Sequence, residues 1–156
     1  MKRQNIIFTL LLLVALSFGS LTANAGDTSV STVGAGGYDL VTYHTGTPQP
    51  GVGFNKSVHD GVTYVFVSEE NKNAFDKNPG KYLPAYGGYC AYGVAVGQKF
   101  VASPEVWKIQ DGVLYFNLDK NIQAKWEEDL NGNINKADKN WKQIKTTSAE
   151  ELAKNG

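Results

Sequence analysis

The chain has 156 residues, with 15 Lys or Arg against 15 Asp or Glu and 42% hydrophobic residues. A formal charge of zero gives no electrostatic footing for nucleic acid or an anionic lipid surface. A single cysteine excludes an internal disulfide and a Cys-x-x-Cys redox cycle, so the fold must rest on aromatic and aliphatic burial.

Lys2 and Arg3 precede an apolar run from Ile6 to Leu16, and Ala23-Asn24-Ala25 forms a small-residue cleavage pattern. Residues 1–25 therefore read as a signal peptide, with the mature chain beginning at Gly26. The run falls short of the ~20 residues that cross a bilayer as a helix, so no membrane insertion of the mature form is expected. The expected location is the periplasm, after secretion across the inner membrane.

Residues 26–37 are rich in Gly, Ser and Thr and read as a flexible leader. Leu40 to Tyr43 suits a short strand, followed by a Gly/Pro loop from His44 to Gly51. Phe54, Lys56 and Val58 alternate up to Asp60-Gly61, and Val62 to Val67 resumes with β-branched and aromatic residues, which predicts a hairpin. Ser68 caps a helix that Pro79-Gly80 ends. A second hairpin runs through Val106 to Ile109, Asp111-Gly112 and Val113 to Phe116. Asp119 caps a helix marked by Ile122, Trp126 and Leu130, and Ile134, Ala137, Trp141 and Ile144 predict another. The tail 145–156 is polar. Hairpins without strand-helix-strand crossovers give an α+β class, a small antiparallel sheet with helices on one side in a single domain over residues 38–144. No internal repeat is evident beyond the two hairpins.

Three motifs carry chemistry or exclude it. Cys90 lies in Tyr86-Gly87-Gly88-Tyr89-Cys90-Ala91-Tyr92, and any thiol or soft-metal chemistry must use it. With one Cys and two His, a four-ligand zinc site is excluded, whereas Cu(I) accepts thiolate and imidazole at low coordination number. His44 is the preferred partner of Cys90, His59 at its hairpin turn the less favoured one, and Asp39 either caps a turn or orients an imidazole. Asp129, Asn131 and Asn133 begin like a calcium loop, but Ile134 and Asn140 stand where its Gly and Glu belong.

Gly37-Tyr38-Asp39-Leu40-Val41-Thr42-Tyr43-His44, Tyr64-Val65-Phe66-Val67-Ser68, Asn78-Pro79-Gly80-Lys81-Tyr82 and Tyr86-Gly87-Gly88-Tyr89-Cys90-Ala91-Tyr92 together resemble the exported branch of the YHS-domain family. The resemblance runs from about Tyr38 to Trp141. It implies a compact α+β domain of a kind that accompanies copper-transporting ATPases and is described as metal-binding. The cysteines of that ATPase branch are replaced here by Thr42, Val67 and Asn71, so its ligand set is not inherited. Some relatives of the exported branch carry selenocysteine at the place matching Cys90, which implies a working thiol. The expected function is the binding or handling of a soft metal ion, copper foremost, through Cys90, with a metal-handling protein as partner. A one-cysteine redox protein and a ligand-free interaction domain are the alternatives, and catalysis is not the leading expectation.

Overall fold

The computed structural model describes residues 33–154, so the signal peptide and the leader up to residue 32 lie outside the described residues. Val33 pairs in parallel with Thr63, and a 3₁₀ turn follows at Gly34–Gly37. Order thus begins before Tyr38. Helix α1 (Leu40–Tyr43) replaces the expected strand. The Asp39 carboxylate accepts the Val41 N–H at 2.8 Å and closes one helical turn, which overrides the β-propensity of Val41, Thr42 and Tyr43.

The first hairpin is β1 (Val52–His59) and β2 (Val62–Phe66), antiparallel across Asp60-Gly61. Ser68 accepts the Asn71 N–H and starts α2 (Glu69–Lys77), after which Pro79 opens the single turn α3 (Pro79–Tyr82). A second 3₁₀ turn at Ala85–Gly88 leads into α4 (Ala91–Ala95). The second hairpin, β3 (Ser103–Gln110) and β4 (Val113–Asn117), turns at Asp111-Gly112. Asp119 caps α5 (Lys120–Glu128), and Asp129 caps α6 (Leu130–Ile144) through the Gly132 N–H. The class is α+β, with two two-stranded ribbons in place of one sheet. The tail forms α7 (Ala149–Lys154) and is docked. The Lys99 Nζ donates to the Lys145 and Thr147 carbonyls at 3.1 and 2.6 Å, and Gln98 reaches Leu152 O.

The repetition extends well beyond the hairpins. Gly36 and Gly87, Gly46 and Gly97, and Asp60 and Asp111 stand 51 positions apart and share left-handed φ values, 60° and 62°, 82° and 82°, 49° and 51°. The bridges Val33 to Thr63 and Tyr38 to Pro50 recur at the same step as Pro84 to Leu114 and Tyr89 to Val101. Both ribbons break register at equivalent places. The chain is therefore two copies of one unit, a Gly-rich turn, a short capped helix, a hairpin and a capped helix.

The copies stack head to tail. The first core holds Leu40, Tyr43, Phe66, Phe75 and Tyr82, and the equivalent places in the second hold Ala91, Val94, Asn117, Trp126 and Asn133. Leu114 and Phe116 of the second ribbon enter the first core, joined at its margin by Trp107 and Ile109, while Tyr115 between them enters the second. Ribbon β3–β4 is thus covered on both faces. Helix α6, longer than its counterpart α3, closes the far side of the second core with Ala137, Trp141 and Ile144.

Burial of Leu114 and Phe116 in the first core ties the stability of the two copies together. Of the three tryptophans, Trp126 and Trp141 pack in the second core, while Trp107 lies at the margin of the first, edge-on to Tyr43, so fluorescence reports on both. Urea unfolding followed by tryptophan fluorescence and by far-UV circular dichroism should therefore give coincident curves. Phe116→Ala should shift both together by about 3–5 kcal/mol. Two separate transitions, in either signal, would show that the copies unfold independently.

Candidate ligand site

Cys90 is buried at the N-terminus of α4. Its sulfur accepts the Gly93 N–H at 3.4 Å, and its S–H points to Asn117 Oδ1 at 3.6 Å, an oxygen that also accepts the Tyr92 N–H at 3.2 Å. Asn117 Nδ2 is buried with no hydrogen-bond partner. Asp39 occupies the place of Cys90 in the first copy and caps α1 with a carboxylate. Its Oδ2 also accepts from Val67 N at 2.9 Å and Asn71 Nδ2 at 2.8 Å, which ties α1 to the end of β2 and to α2. All three bonds of the Asp39 carboxylate go to amides, and no imidazole is among these partners. Cys90 and Asp39 share one structural task, holding a short helix against the ribbon beside it.

His44 follows α1 with its ring edge-on to Tyr82, centroids 5.3 Å apart. Its Nε2 is buried without a partner, and burial, aided by the charge of Lys81, pulls its pKa below the usual imidazole value. His59 ends β1, lies edge-on to Phe75 and stands 3.5 Å from Asp60 Oδ2. No group of three or more His, Cys, Asp or Glu side chains suited to a metal ion occurs among the described residues. The donor set for a multidentate metal centre is therefore not assembled in them.

Between the copies lies a cavity of about 440 Å³, within the range of small-molecule sites. The two Gly-rich turns face it through Gly34, Ala35 and Gly36 on one side and Gly87 and Gly88 on the other. Val62, Tyr64, Ala102, Pro104 and Phe116 supply most of the remaining apolar wall, and Lys99 and Lys145 also line it. Ala35 and Tyr86 begin the left-handed stretches with φ of 52° and 55°, a conformation costing roughly 1–2 kcal/mol for a residue with a Cβ. Tyr86 is anchored by donating to Asp138 Oδ1 at 2.9 Å, and burial with that bond raises its pKa far above the usual phenol value. Trp141 backs Gly87.

The cavity has no signature in the sequence, because its walls come from both copies. Asn117 did leave a trace, as the polar residue closing the apolar run Leu114-Tyr115-Phe116.

The depressed pKa of His44 has a sign that solution measurements can read. The unfolded chain takes up the proton more readily, so the His44 contribution is complete above about pH 6.5 and is lost as pH falls through that value toward the lower folded pKa. Thermal melts should therefore show a drop in stability below about pH 6.5 that His44→Phe removes. Parallel pH profiles for the two proteins would refute this assignment.

Set against family models, curated proteins and solved structures, the chain matches none of them.

Proposed function

We propose that this is an exported, non-catalytic binding domain that holds a small apolar molecule between its two copies. The observation that carries the reading is the cavity of about 440 Å³ bounded by both Gly-rich turns. Its lining is mostly apolar, and of its four titratable side chains, Tyr64, Tyr89, Lys99 and Lys145, Lys99 is engaged by the Lys145 and Thr147 carbonyls, so the wall suits retention of a ligand. The two strained residues beside it, Ala35 and Tyr86, support the same reading, since such backbone persists where a site shape requires it. The neutral fluorophore N-phenyl-1-naphthylamine tests it. The purified protein should bind it saturably at about one per chain, and Ala102→Trp should weaken binding about tenfold or more by filling the cavity. Equal binding by wild type and by a folded Ala102→Trp variant would remove the cavity from consideration.

A second reading keeps the soft metal suggested by the YHS-like motifs. What favours it is the buried, unpartnered Nε2 of His44, whose pKa burial and Lys81 lower, in a chain whose one thiol is Cys90. In this reading Cys90 and His44 are the two donors to Cu(I), and the thiol must leave Gly93 and Asn117 to serve. Competition with a chromogenic Cu(I) chelator should then show about one ion per chain, lost in Cys90→Ser and weakened in His44→Ala. Unchanged uptake in Cys90→Ser would end it.

A further inference from the structure

The wall of the cavity is uneven in charge. Its lining includes two lysines, Lys99 and Lys145, and no aspartate or glutamate. Lysine is seldom buried, yet Lys99 is 5% exposed. The repeated unit does not call for it, since Pro48 holds the equivalent place in the first copy. Its ammonium stands over the Tyr89 and Trp141 rings, 5.1 and 5.3 Å from their centroids, and donates to the Lys145 and Thr147 carbonyls. Those carbonyls fix where the ammonium stands and leave it a cation.

The lysines gather on one part of the wall. Lys99 adjoins Lys145 and Tyr89, and Val101, bridged to Tyr89, is 63% exposed, so the cavity reaches solvent here. Elsewhere the wall is apolar. Gly34 lies against the Tyr64 ring and Gly36 against Pro104, with Val62 and Phe116 beside them.

We infer that the cavity takes an amphipathic acid, an apolar body carrying one carboxylate, with the carboxylate at Lys99 and Lys145 and the body between the Gly-rich turns. This rests on the cavity reading above and names the class of its ligand. A few polar groups in an otherwise apolar site set the orientation of what it holds. Attraction to a cation grows as water is excluded, so a carboxylate gains more beside a buried lysine than beside one in open solvent. A neutral ligand leaves that gain unused, and an amine meets two like charges.

Displacement of N-phenyl-1-naphthylamine at about pH 8, where carboxylic acids are ionised and lysines charged, separates the head group from the chain. Dodecanoate, 1-dodecanol and dodecylamine carry the same chain with different heads. Dodecanoate should displace the fluorophore at about tenfold lower concentration than dodecanol, with dodecylamine the weakest of the three. Lys99→Met with Lys145→Gln should bring dodecanoate level with dodecanol, and Lys99→Arg, which keeps the cation, should retain the preference. Each comparison is made within one protein, so a change in the fluorophore's own affinity cancels. Saturable fluorophore binding by a wild type that draws no distinction between dodecanoate and dodecanol overturns the acid and leaves the cavity standing, as does a double variant that keeps the distinction. No fluorophore binding at all removes the cavity reading, and the acid with it.

Discussion

Ribbon β3–β4 has to be buried twice. In β4, Leu114 and Phe116 point one way and Tyr115 the other, so no single layer of helix can satisfy all of them. Most of the architecture follows from that requirement. The first copy must lie on one face and α4, α5 and α6 on the other, with the long α6 closing the far side of the second core. The cavity is a by-product of the same stacking, since the two Gly-rich turns approach each other where the apolar faces cease to touch.

The caps hold that stack in register. Asp39 and Cys90 sit at the same point of the repeated unit and each joins a four- or five-residue helix to its surroundings, one by three bonds to a carboxylate, the other by a thiol between an amide and an amide oxygen. A carboxylate can satisfy several buried N–H groups at once, whereas a thiol is a weak partner in both directions. The second copy compensates with Asn117, whose oxygen takes the Tyr92 amide, but in doing so leaves its own Nδ2 unsatisfied. That residual cost is the local argument for regarding the surroundings of Cys90 as more than packing.

Both hairpins could be read from the sequence because an Asp-Gly turn between alternating residues is a local signal, and the helix starts at Ser68 and Asp119 because a cap is local too. Leu40–Tyr43 suits a strand in the sequence and forms a helix in the structure for the complementary reason. Four residues, three of them β-branched or aromatic, carry no period, and Asp39, three elements away from its partner Asn71, decides the matter. The duplication is faint in the sequence because the identities that survive at the 51-residue step are few, among them Gly36, Gly46, Asp60, Gly61 and Tyr64 with their counterparts, and most keep a turn rather than a core. Cys90 could be singled out by its uniqueness, but its burial, its hydrogen bonds and the cavity all depend on contacts between distant segments, which composition and spacing do not encode.

Two units with the same turns and the same strand register also pose a hazard while the chain is folding, since either ribbon could settle into the place of the other, within one chain or between neighbours. Their divergence supplies the discrimination. Phe66 in the place of Asn117 would leave the Tyr92 amide without its acceptor, and Asn117 in the place of Phe66 would put a carboxamide among Leu40, Tyr43 and Phe75. The differences that hide the duplication from a reader of the sequence are thus what lets each half of the chain recognise its own position.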